Sequence, residues 1–132
     1  MHRRVAVTGL GVVSAFGDDV GALWDALLAA ESAATEVRLE GLPPVPACVV
    51  GAIDAEAVVG RREARRMDRA GLLAAVAAAN ALADAGDTGV DPWRFGASIA
   101  NAHGGIATLA DNHRALRSAA STGSARSPCR CS

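Results

Sequence analysis

The chain has no lysine, no tyrosine and no glutamine, and only two phenylalanines and two tryptophans among its 132 residues. So few aromatic rings exclude a base-stacking platform for nucleic acid. The three cysteines, at 48, 129 and 131, are odd in number, and Cys129-Arg130-Cys131 lacks the spacer of a zinc knuckle or redox pair. His2, His103 and His113 share no metal-ligand spacing. The sequence thus predicts a reduced, cytoplasmic setting with no metal and no cofactor. Long apolar runs are also missing. Residues 70–83 carry no charge but fall short of the roughly 20 residues that span a bilayer. The run after Arg3 and Arg4 is broken by Gly9, Gly11 and Gly17 and followed by Asp18 and Asp19, so no signal peptide is expected. What the chain does have is alanine, at 31 positions, and arginine, at 13, a skew that points to a GC-rich genome. With 51% hydrophobic and 20% charged residues and a net charge of -1, it is of globular composition and long enough for one domain.

Residues 5–13 alternate β-branched and small side chains, which predicts a buried strand bending at its glycines. Asp18 is the expected cap of a following helix, because Val20, Leu23, Trp24, Leu27 and Leu28 form one apolar stripe. Three prolines at 43, 44 and 46 predict a loop, with a short strand over 47–53. Residues 61–85 read as one long helix ended by Gly86. On it Met67, Ala70, Gly71, Ala74, Ala78, Ala81 and Ala85 share a side so small that it should touch another backbone, and the last turns should be buried all round. A second buried strand is expected at 96–100 and a helix at 106–117, with Ile106, Leu109, Ala110 and His113 on its stripe. The order β-α-β-α-β-α predicts an α/β layered domain.

Gly9-Leu-Gly11-Val-Val-Ser14 approaches the dinucleotide motif GxGxxG, but the third glycine is Ser and the helix begins too late to present its amides to a pyrophosphate. A small nucleotide-binding domain is therefore the weakest reading. Cys48 reads as a small buried hydrophobe, and His103, before Gly104-Gly105, as the one histidine in a loop able to line a cleft. Arg61, Arg62, Arg65, Arg66 and Arg69 against Glu63 and Asp68 give a local balance of 5 minus 2, or +3. On one helix these arginines would fall within an arc of about 140°. They form either a solvated helix start or a docking patch for an acidic or phosphorylated partner.

Taken together, Arg3-Arg4-Val-Ala-Val-Thr-Gly-Leu-Gly-Val-Val-Ser-Ala-Phe-Gly17 and Leu23-Trp24-Asp-Ala-Leu-Leu-Ala-Ala30 resemble the start of a β-ketoacyl synthase. Arg61-Arg-Glu-Ala-Arg-Arg-Met-Asp-Arg69 with the alanine-rich helix to Gly86, then Ile106-Ala-Thr-Leu109 and Asn112-His-Arg-Ala-Leu116, resemble later segments of that family in the same order. Asn101-Ala-His103 departs from the smaller residues of many relatives.

The resemblance implies the incomplete N-terminal part of a thiolase-like αβαβα layered fold, over residues 1–117, in a family of homodimers or ketosynthase pairs. It implies decarboxylative condensation of an acyl thioester with malonyl-acyl carrier protein, using a Cys nucleophile at a helix start and two His. None of these is carried onto this sequence: Cys129 and Cys131 lack the Thr-Ala-Cys type flanks, and the His pair belongs to the family's second half. What the resemblance does transfer is docking of the acyl carrier protein, to Arg62, Arg65, Arg66 and Arg69. Residues 118–132 have no aliphatic side chain larger than Ala and are expected to be a low-order tail, truncated or frame-shifted. The alternative to an inactive synthase fragment is a non-catalytic carrier-binding or dimerisation module. Neither reading involves a nucleic acid or a membrane.

Overall fold

A computed structural model of the chain describes residues 4–121. Aspartates start several of its helices. Asp19 Oδ1 accepts the Ala22 N–H at 2.6 Å and opens α1 (Val20–Leu28), and Asp54 accepts the Ala57 N–H at 3.1 Å and opens α2 (Ala55–Val59). Each carboxylate satisfies an amide that the first helical turn leaves unpaired. The cap of α1 is thus Asp19, one residue later than expected. Asp18 is held through its main chain instead, its carbonyl accepting from Asn80 Nδ2 at 3.3 Å.

The long helix expected over 61–85 is broken. α3 (Arg61–Ala64) is a single turn, and α4 (Arg69–Ala85) begins only after Asp68, whose extended backbone lets its Oδ1 cap the Ala70 N–H at 3.0 Å. Asp is a weak interior helix residue and a strong cap, so the local preference favours a restart here. Gly86, at φ 66°, ends α4 where expected.

β1 (Ala34–Val37) and β2 (Val45–Cys48) pair antiparallel, Ala34 opposite Cys48 and Val37 opposite Val45. β1 was not foreseen, and β2 starts within the expected proline loop and stops before Val49. Pro46 is tolerated because a two-stranded ribbon leaves each strand an open edge. Among the described residues the ribbon is left open at Cys48, which is exposed and not a buried hydrophobe.

The strands expected at 5–13 and 96–100 do not form among the described residues. A strand exists only when a neighbour accepts its hydrogen bonds, and here neither segment has one. Val5 is 93% exposed, Val7 79% and Ile99 70%. The layered sheet of the expected α/β domain is therefore not built within the described residues. α5 (Ile106–Ser121) runs four residues into the expected tail, with Ser118 Oγ donating to Ala115 O at 2.9 Å. Residues 122–132 lie outside the described part.

Residues 9–11 nevertheless have a defined seat on α4. A Cβ added to Gly9 would fall 2.6 Å from Ala85 N and closer still to Ala81 O; one added to Gly11 would fall 2.5 Å from Ala81 N and closer still to Ala77 O. The small-residue side of the helix thus touches another backbone at Ala81 and Ala85, as read from the sequence, with Ala77 joining it. Asp84 completes the seat, Oδ2 accepting the Leu10 N–H at 2.8 Å. α2 packs against α3 and α4, and among the described residues the buried side chains are Ala26, Ala55 and Val76. The end of α4 is not buried all round, since Leu82 is half exposed.

Gly11→Ala should destabilise the chain by about 1–3 kcal/mol, because the new methyl meets main-chain atoms that cannot rotate away. Gly96→Ala, with open space around it, should be neutral or slightly stabilising. Urea unfolding followed by circular dichroism measures both, and equal effects would sink the close-approach argument.

Candidate functional site

Of the arginines singled out in the sequence, Arg61 and Arg62 lie on α3, Arg65 and Arg66 in the turn, and Arg69 is the first residue of α4. All five are exposed. The single 140° arc does not exist, because the helix that would have displayed it is interrupted at residues 65–68. The segment is instead a bent basic ridge, still carrying five arginines against Glu63 and Asp68.

The two residues at the head of α4 reach outward. Arg69 Nη2 donates to Val50 O and to Gly51 O, both at 2.8 Å, holding the loop between β2 and α2. Asp68 Oδ2 accepts from Thr108 Oγ1 at 2.8 Å, tying α4 to the first turn of α5 across 40 residues of sequence. Its carboxyl is held below the ordinary 3.8, first by the Ala70 N–H, then by the Thr108 hydroxyl and least by the Gly105 N–H, while partial desolvation opposes them. Sequence reading counted Asp68 only as an acid in a charge balance. The signal available was an Asp directly before an alanine-rich helix, which marks a cap.

Next to this carboxylate is an open depression of about 410 Å3 lined by Asp68, Ala70, Gly71, Asn101, Gly104 and Gly105. Asn101 Oδ1 accepts from the amides of His103 and Gly104 and shapes its rim. His103 does not line the depression, and its side chain is exposed. Ile106, Leu109, Ala110 and His113 share one face of α5 as expected, around an apolar hollow of about 370 Å3 that is open to solvent. No group of three or more His, Cys, Asp or Glu converges among the described residues. Among them, too, no helix is long and apolar enough to cross a membrane.

The family model for the β-ketoacyl synthase N-terminal domain matches residues 2–131. The chain belongs to the β-ketoacyl synthase family. It is 36% identical over 108 residues to the tetracenomycin polyketide synthase ketoacyl synthase alpha subunit of Streptomyces glaucescens, covering 78% of this chain and 25% of that one. It is 34% identical over 128 residues to 3-oxoacyl-(acyl-carrier-protein) synthase 2 of Rhizobium meliloti strain 1021, covering 87% and 30%. The enzyme of that name from Staphylococcus aureus strain N315 is 31% identical over 122 residues, covering 87% and 29%. The chain spans between about a quarter and three tenths of the length of these curated relatives. No solved structure gives a significant match.

In this ketosynthase-family chain the Asp68 tie has a defined acid dependence. A carboxyl whose folded pKa is lowered stabilises the fold when ionised, fully above about pH 3.8 and progressively less as pH falls through the folded value. The urea midpoint of the native chain should therefore drop more steeply between about pH 5 and about pH 2 than that of Asp68→Asn. At neutral pH the variant should have the lower midpoint. Parallel pH profiles would show that the carboxylate carries no such tie.

Proposed function

We propose that this chain supplies the amino-terminal portion of a 3-oxoacyl-acyl-carrier-protein synthase working in the cytoplasm, and that it does not condense alone. The reaction of that enzyme is decarboxylative Claisen condensation of an acyl thioester with malonyl-acyl carrier protein, in fatty-acid or polyketide synthesis. The observation that carries the reading is the family match over residues 2–131, taken with the apolar positions left open in the fold. Covering each of Val5, Val7 and Ile99 would contribute about 1.5–3 kcal/mol, so these segments are suited to a sheet that a larger body completes.

No catalytic residue is assigned. Cys48 ends a strand and is not at a helix start, while Cys129 and Cys131 lie outside the described residues. The contribution proposed for this portion is docking: the basic ridge that carries Arg62, Arg65, Arg66 and Arg69 meets the acidic surface of an acyl carrier protein.

Two measurements test the proposal. Co-expression with the separately encoded carboxy-terminal remainder of a relative should restore condensation that neither piece shows by itself. Carrier binding without restored condensation would favour a non-catalytic carrier-binding or dimerisation module. Arg65→Glu with Arg66→Glu should weaken carrier binding by at least about 2- to 30-fold at low salt, the loss of two exposed pairs worth about 0.2–1 kcal/mol each, with the new repulsion adding to it. Unchanged affinity would reject the docking assignment.

A further inference from the structure

The head of α4 holds two side chains in contacts that a docking patch does not require. Arg69 gives both hydrogens of one guanidinium nitrogen to the carbonyls of Val50 and Gly51. Its place is an awkward one for a cation, because the first residue of a helix lies at the positive end of the dipole. The two carbonyls supply the negative field that this end lacks. Asp68, one residue earlier, takes the Thr108 hydroxyl at the start of α5 while capping α4. Two adjacent side chains thereby join three parts of the chain: the loop entering α2, the first turn of α4 and the first turn of α5.

That loop has a second role. Val50, Gly51 and Ile53 form one wall of an open depression of about 360 Å3 whose other wall is the turn at Ser14, Phe16 and Gly17. Arg69 therefore sets how the basic ridge lies relative to this wall. Arg61, Arg62 and Arg65 are differently placed. They are exposed and their side chains form no hydrogen bond or ion pair among the described residues, so their guanidinium donors are available to a partner. Arg66 already has a contact of its own.

We infer that the ridge is divided: Arg61, Arg62 and Arg65 recognise the acidic partner, whereas Asp68 and Arg69 are positioning residues that fix the ridge against the loop after β2 and the start of α5. The partner-facing half rests on the carrier-docking reading above; the positioning half does not. A charge held against two main-chain acceptors would lose both of them on turning toward a partner, while Arg62 and Arg65 give up only water.

The test uses the full 132-residue chain, labelled with 15N and titrated with an acyl carrier protein. It is run at ionic strengths of about 0.01 M and about 0.1 M, between which the screening length falls from about 30 Å to about 10 Å. Arg65→Met and Arg69→Met remove the same charge. Arg65→Met should weaken binding by about 1.5- to 5-fold at the lower salt and flatten the salt dependence, leaving the amide signals of residues 50–53 in place. Arg69→Met should keep the salt dependence and displace those signals. Arg69→Lys should displace them too, since it keeps the charge but not the planar fork. Asp68→Asn retains a capping side chain, and should move the signals of Gly105 and Thr108 while sparing residues 72–85.

The division is overturned if Arg69→Met flattens the salt dependence as Arg65→Met does, or if Arg69→Lys leaves residues 50–53 unmoved. Salt-independent carrier binding by the native chain would overturn the docking reading and the partner-facing half with it. The signals of residues 50–53 and of Gly105 would still decide the positioning half. If Arg69→Met fails to fold, Arg69→Lys decides that arm.

Discussion

The backbone of residues 9–11 can lie against α4 only because neither surface carries more than a methyl group where they meet. Gly9 and Gly11 face the main chain at Ala77, Ala81 and Ala85, one helical turn apart, and a single Cβ on either glycine would collide with it. Much else is referred to this contact. It brings the Leu10 N–H to Asp84, and Asn80, one turn earlier, holds the Asp18 carbonyl just before α1 begins. α4 is thus the axis of the described structure, bound near its end to the amino-terminal segment, through α2 at its side and by Asp68 and Arg69 at its head.

The head of α4 shows how one local choice has distant effects. Asp68 could have continued the helix from α3, but capping frees its second carboxylate oxygen for Thr108 and turns Arg69 toward the loop at Val50 and Gly51. Breaking the helix costs a few main-chain hydrogen bonds, which the cap and these two ties offset. The break also bends the arginine segment. A straight helix would have offered one basic stripe; the bent ridge separates Arg61, Arg62 and Arg65 from Arg69, whose guanidinium is tied to the loop after β2.

The exposed apolar residues fit membership of a family whose chains are several times longer. Val5 and Val7 alternate in the manner of a strand, and Trp93 is 95% exposed beside a turn that Asp91 caps neatly through the Trp93 N–H. Local structure is well formed at such places while large side chains stay uncovered. Their burial requires surfaces that the described residues do not provide.

Caps, helix ends and close-approach surfaces were legible in the sequence because they depend on residues adjacent along the chain or one turn apart. The start of α1 to within one residue, the stop at Gly86, the start of α5 at Ile106 and the small-residue side of α4 were all read from it, as was the family, through the order of its segments; the apolar stripe expected on α1 is not its buried face, since Trp24, Leu27 and Leu28 are exposed and Ala26 is the residue that is buried. Strand formation was not legible, since Val5 to Val13 has every local property of a strand and lacks only a partner to accept its hydrogen bonds. Nor was the fate of the arginines. Whether Arg69 faces water or Val50 O, 19 residues away, depends on where the loop after β2 returns, and the Asp68–Thr108 contact on where α5 begins in space. Sequence by itself determined the family, most helices and the basic character of the ridge; tertiary structure alone decided which segments pair and which arginines remain free, because both are contacts between distant residues.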